Sequence, residues 1–162
     1  MASTAAELFR HNLWANLRLL DACAQLSEDD LAATAPGTYG AVRDTLTHLV
    51  ASEARYVGEF TGRPPKTRPE ELPFALFEAI RASAADSGEE LIEIAERTQP
   101  ADLLRGTYRG TPYETPASTL LIQAINHATE HRAHIVTILS QRGVKTPGLD
   151  GIAYAPEAAR AR

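Results

Sequence analysis

Four stretches of this chain carry apolar residues at helical spacing, and clusters of proline and glycine separate them. That alternation constrains the fold more than any other feature. An apolar stripe recurring every three to four residues must be buried against another element. Four such stripes with no strand-like alternation of comparable length predict helices packed on helices, an all-α four-helix bundle with irregular loops between helices and a C-terminal tail.

The first helix is expected to begin near Thr4, which with Glu7 has the T-x-x-E spacing of a capping box, and to run to about Gln25. Leu8, Leu13, Leu17 and Leu20 supply its apolar side. Ser27 to Leu31 reads as a cap with one or two further turns, and Pro36-Gly37-Thr38-Tyr39-Gly40 breaks the chain. The second helix is expected from Ala41 to about Phe60, with Val42, Leu46, Leu49, Val50, Val57 and Phe60 along it. Thr61 to Pro65 ends it, and the proline-rich stretch to Pro73 reads as a surface loop. The third is expected over about Phe74 to Arg97, with Phe77, Ile80, Leu91 and Ile94 inward. Gly88 inside it costs about 1 kcal/mol relative to alanine and marks a kink or break.

Gln99 to Glu114 is the least helical segment, with Thr107-Tyr108 as a short extended piece. Thr115 is expected to cap the fourth helix, with Pro116 at its first position. Leu120, Leu121, Ala124, Ile125, Ala128, Ile135, Ile138 and Leu139 form its apolar side, and Gly143 stops it. The tail from Val144 is expected to fold back as a loop. No internal repeat or long linker divides the chain, and 162 residues suit a single domain spanning 1–162.

The formal net charge of −5 lacks the basic footprint of a phosphate-neutralising protein, so nucleic acid is excluded as a partner. No apolar run approaches the roughly 20 residues that span a bilayer, and no membrane association is expected. The N-terminus lacks the pattern of a secretory signal, and Cys23 is the only cysteine. Both point to a cytoplasmic location. Cys23 has no flanking positive charge to lower its pKa, so it is not read as a nucleophile.

The chemistry lies in the fourth helix. The run H-A-T-E-H-R-A-H, His127 to His134, holds three of the five histidines. His127 and His131 are one turn apart, on the stripe that carries Ala124, Ala128, Ile135 and Ile138. Two imidazoles at i and i+4 present two nitrogens to one metal ion. Two satisfied core histidines are the competing reading. His48, in T-H-L-V-A-S-E, supplies a third nitrogen if the second helix faces the fourth. His134 lies about 10 Å along the axis from His127, too far for one ion to take all three, and reads as an outer or structural group. His11, beside Asn12, Trp14 and Asn16, can line the pocket but is not read as a ligand. Glu53 is expected to orient a histidine or to satisfy a buried polar group, and Glu130 faces solvent. Three histidines leave positions open for water or substrate, and the absence of paired cysteines argues against a closed structural zinc site.

These residues resemble the DinB/YfiT-like family of bacterial metalloenzymes over nearly the whole chain. F-R-H-N-L-W-A-N resembles the family's opening, L-T-H-L-V-A-S-E-A-R-Y its second-helix motif, and N-H-A-T-E-H-R-A-H-I its H-x-x-x-H-R motif. P-G-L-D-G-I-A-Y is similar to its ending. The resemblance implies a four-helix bundle assembled as a homodimer, and outward apolar residues such as Leu19 and Ile92 are read as surface for that contact. It implies a divalent metal ion, nickel or zinc, on His48, His127 and His131. It also implies a small-molecule substrate and an enzyme of hydrolase or thiol-dependent S-transferase type. Some relatives use a low-molecular-weight thiol such as bacillithiol or mycothiol as cosubstrate. The alternative is a non-catalytic, dimeric, stress-related module that binds a metal or ligand. At the position of His134 the family more often has glutamine.

Overall fold

A computed structural model describes residues 3–71, 73, 77–108 and 110–160. Its helices are α1 (Thr4–Cys23), α2 (Glu28–Leu31), α3 (Val42–Thr61), α4 (Phe77–Arg97), α5 (Ala117–Gln141) and α6 (Gly151–Arg160). A two-stranded hairpin, β1 (Leu103–Tyr108) and β2 (Thr111–Pro116), lies between α4 and α5. The fold is all-α apart from this hairpin. Helix α1 packs against α4 and α5, and α3 packs against the same two, so α1 and α3 stand diagonally across the bundle.

Local chemistry sets the ends. The N-cap of α1 is Ser3, not Thr4: the Ser3 hydroxyl accepts the Ala6 N–H at 3.0 Å. Helix α5 ends at Gln141, two residues before Gly143, whose φ of +74° is the left-handed geometry that glycine adopts without a Cβ penalty. The α4 start expected at Phe74 falls on residues 74–76, outside those described. Gly88 does not break α4, which runs through it unbroken. A Cβ there would meet Leu13 Cδ1 at 2.5 Å, so its bare backbone is what lets α1 approach.

Three other expectations are corrected. Gln99 to Glu114 is largely a hairpin that pairs Leu103 with Pro116 through Tyr108 with Thr111, so Thr115 lies in β2 and Pro116 becomes the cap of α5. The tail is not a loop throughout. Asp150 Oδ1 accepts the backbone N–H groups of Ile152 and Ala153, both at 2.9 Å, and starts α6. On α1 the buried face is Phe9, Ala15, Leu19, Leu20 and Cys23, while Leu8 is half exposed. Leu19 is core rather than surface, and Ile92 is partly buried.

The core has two apolar clusters. Leu20, Leu46, Leu49, Ile80, Ile135 and Ile138 anchor one, and Phe9, Val57, Leu91, Ile94 and Leu121 anchor the other. Each fully buried side chain of this size contributes about 1.5–3 kcal/mol. Between the clusters, midway along α1, α3 and α5, lie buried polar residues: Asn12, Asn16, Glu53, His131 and Arg132. Among the described residues no helix is long and apolar enough to cross a membrane.

Candidate metal centre

The α3–α5 contact brings the three sequence-selected histidines together. Helix α3 carries His48 and α5 carries His127 and His131, one turn apart. Helices α3 and α5 pack directly on each other. His48 Nε2 lies 3.1 Å from His127 Nε2, and His131 Nε2 lies 3.0 Å from the same atom. One ligating nitrogen from each ring falls within 4.8 Å of the others, so the group can hold a metal ion.

Hydrogen bonding alone does not satisfy this arrangement. The His127 Nε2 atom offers either one hydrogen or one lone pair, never both. It can therefore make one well-directed hydrogen bond, and its other contact, at 3.0 or 3.1 Å, is left without one. Three lone pairs converging on a cation remove the conflict. At metal–nitrogen bonds of 2.0–2.1 Å, adjacent ligand nitrogens sit about 3.3 Å apart in tetrahedral geometry and about 2.9 Å apart in octahedral geometry. The Nδ1 atoms of His127 and His131 are buried and have no hydrogen-bond partner among the described residues.

Electrostatics favour neutral rings. Burial holds His127 down to about 4, helped by the charges of His48 and Arg55. Burial does the same for His131, again to about 4, with His127, His48 and His134 adding to it. His48 is lowered by burial and then by Arg55. Neutral imidazole is the metal-binding form, so at neutral pH the three lone pairs are available.

Tyr39 was not selected from sequence. Its ring stacks on His48 at 4.3 Å and meets His131 edge-on at 5.0 Å. Beside His48 an open depression of about 610 Å³ is lined by Tyr39, Thr47, Ala51, Arg55 and Glu70. Arg55 donates to Glu70 Oε1 at 2.9 Å and to Ser52 Oγ at 2.8 Å. No local pattern marks Tyr39, which belongs to the break before α3. Arg55 is two turns from His48 on one helical stripe, a signal that was legible.

His134 stands outside the group, its ring 5.5 Å from that of His131. His11 does not line the depression. Its Nε2 donates to the Leu149 carbonyl at 2.9 Å, and its ring packs with Trp14 and Tyr154 where α6 meets α1. Glu53 bonds no histidine. It accepts from the amides of Asn12 and Asn16 at 2.6 and 2.8 Å. Glu130 is exposed. Cys23 is buried, which pushes its thiol up to about 12 and leaves it inert.

Residues 1–161 match the model of the DinB family. The chain is similar to Protein DinB of Bacillus subtilis (strain 168), at 25% identity over 162 residues that cover 93% of this chain and 92% of that protein.

Proposed function

The chain belongs to the DinB family, and from that premise we propose that it is a metal-dependent enzyme whose divalent ion is held by His48, His127 and His131. One observation carries the reading: the Nε2 atoms of His48 and His131 both converge on His127 Nε2, an arrangement that two well-directed hydrogen bonds cannot satisfy and a cation can. Zinc or nickel suits an all-imidazole set.

When bound, such an ion supplies Lewis-acid chemistry, acidifying and orienting a water or a thiol near neutral pH. The chain's own residues prepare the place. His127 and His131 stay neutral because they are buried. Tyr39 packs on His48 and covers one flank. The depression beside His48 admits a small molecule, with the Arg55 guanidinium at its edge. The reaction class that fits is hydrolysis or thiol-dependent S-transfer on a small molecule, with a low-molecular-weight thiol as cosubstrate in the second case.

The same proposal has the protein as a single cytoplasmic domain acting as a homodimer. Exposed Leu8, Ile122 and Ile152 supply apolar surface for that contact. A sedimentation mass near twice 17.5 kDa at micromolar concentration is expected, and a monomer throughout that range rejects the dimer.

The deciding experiment is elemental analysis of untagged protein purified without added metal, followed by titration of the stripped protein with zinc and nickel. Stoichiometric binding lost in His48→Ala, His127→Ala and His131→Ala is expected. Absence of binding by the wild type overturns the reading. A filled site without turnover on ester, amide or thiol-acceptor panels replaces the enzyme with a non-catalytic metal-binding module.

A further inference from the structure

The buried polar layer next to the histidines has a specific construction. Asn12 and Asn16, one turn apart on α1, both donate through Nδ2 to Glu53 Oε1 on α3, at 2.6 and 2.8 Å. Their Oδ1 atoms both accept from Arg132 Nη1 on α5, each at 2.6 Å. Arg132 Nη2 also donates to Thr129 Oγ1 at 3.1 Å. Arginine only donates, so each amide must turn its oxygen to Arg132, which leaves its nitrogen facing Glu53 Oε1. The result joins Glu53, at 1% exposure, to Arg132, at 6%, through two side-chain amides. Burial pushes the Glu53 carboxyl up, against the Asn12, Arg132 and Asn16 contacts that lower it, and its Oε2 is buried without a hydrogen-bond partner among the described residues.

Such a pair is a poor source of stability. Desolvating two charges offsets most of their attraction, and well-packed apolar replacements are often neutral or stabilising. Its best-attested use is to set register. Register matters here because the ligands come from two helices. Sliding one helix by a residue moves its side chains about 1.5 Å, most of a metal–nitrogen bond length. The apolar contacts on either side are non-directional and tolerate a slide. Hydrogen bonds at 2.6–2.8 Å do not. The pins also sit close to the ligands: Arg132 directly follows His131, and Glu53 is five residues, about 7.5 Å of helix axis, beyond His48.

From this juxtaposition we infer that Glu53, Asn12, Asn16 and Arg132 are the positioning residues of the histidine centre, through which α1, a helix with no ligand, sets the register of α3 against α5. The inference rests on the metal reading above and adds to it what holds the ligand geometry in place.

The test uses Co2+ as both ligand and spectroscopic probe, because its visible bands report coordination geometry. Wild type is compared with the all-apolar variant Asn12→Leu/Asn16→Leu/Glu53→Leu/Arg132→Met and with Asn16→Ala, which keeps one of the two bridges. Melting temperature and far-UV circular dichroism report the fold. The expected result is a folded all-apolar variant that binds Co2+ at least tenfold more weakly with altered visible bands. Asn16→Ala, expected to fold in any case, is weakened by a smaller factor. If the folded variants bind Co2+ with wild-type affinity and wild-type bands, the inference is overturned while the metal reading stands. If wild type itself takes up no Co2+, the metal reading falls and the inference with it.

Discussion

The Tyr39 ring lies nearly flat on the His48 ring, with centroids 4.3 Å apart and planes 18° from parallel. His48 is the single ligand candidate on α3, and this stack restrains the direction in which its Nε2 points. Aromatic pairs contribute about 0.5–1.5 kcal/mol beyond burial. Tyr39→Phe keeps the stack and is expected to leave zinc affinity within about twofold. Tyr39→Ala is expected to weaken it by roughly the three- to tenfold that such a contact represents. Calorimetric titration of stripped protein checks both, and equal affinity of the two variants would count against a role for the stack.

The histidines themselves separate by distance. Replacing His48, His127 or His131 by alanine removes a nitrogen from the group of three. Each change is expected to cost more than the roughly 10–100-fold typical of outer partners. His134→Ala is expected to stay at or below the lower end of that range, since its ring lies 5.5 Å from that of His131 and outside the group of three. The same ranking is expected in thermal melts, where saturating metal stabilises by RT ln(1 + [L]/Kd). A weaker His134→Ala than His48→Ala would move the site along α5.

Acid acts on the metal-free protein with a definite sign. His127 and His131 are held at about 4 in the folded chain, against roughly 6.5 when unfolded. Between those values the unfolded state binds more protons, so stability falls as pH drops from about 6.5 to about 4 and levels below that. Urea midpoints of wild type minus those of His127→Gln/His131→Gln across this window isolate the effect from other groups. Proton competition with the metal is likewise expected to begin well below pH 6.5, which zinc titrations at pH 7, 6 and 5 can follow. A difference that is flat between pH 6.5 and 4 refutes the assignment.

At Gly88 helix propensity and packing point in opposite directions. Alanine gains about 1 kcal/mol in a helix interior over glycine. The new Cβ would meet three atoms of Leu13, at 2.5, 3.1 and 3.1 Å. Overpacking of this kind costs about 1–3 kcal/mol. Gly88→Ala is therefore expected to destabilise in urea unfolding, and Leu13→Ala in the same chain is expected to recover part of the loss. A stabilised Gly88→Ala would mean that α1 can yield.

Trp14 is the only tryptophan and packs on Tyr154 of α6, with ring centroids 5.3 Å apart. Tyr154→Ala is expected to shift its emission to the red by exposing it. His11→Ala, which removes the bond to Leu149, is expected to do the same to a lesser degree. Neither is expected to change zinc affinity, and a loss of binding in His11→Ala would return His11 to the candidate ligands.

The sequence by itself determined the four long helices, their breaks and the presence of two imidazoles on one face of the last. These are properties of short windows: a 3.6-residue period decides which side chains share a face, and clusters of proline and glycine disfavour helix continuation. Residue-level reasoning left His48 conditional on an α3–α5 contact, which is a tertiary fact. It could place neither Tyr39 over His48 nor α6 against Trp14. It misjudged Leu19 because α1 buries small and polar residues as well as large ones. Asn12 and Asn16 were visible as a pair one turn apart, but not what they join. Their partners lie 41 and 37 positions away at Glu53 and 120 and 116 away at Arg132. Helix packing sums many weak, non-directional contacts, so only the tertiary structure decided which polar atoms came within bonding distance.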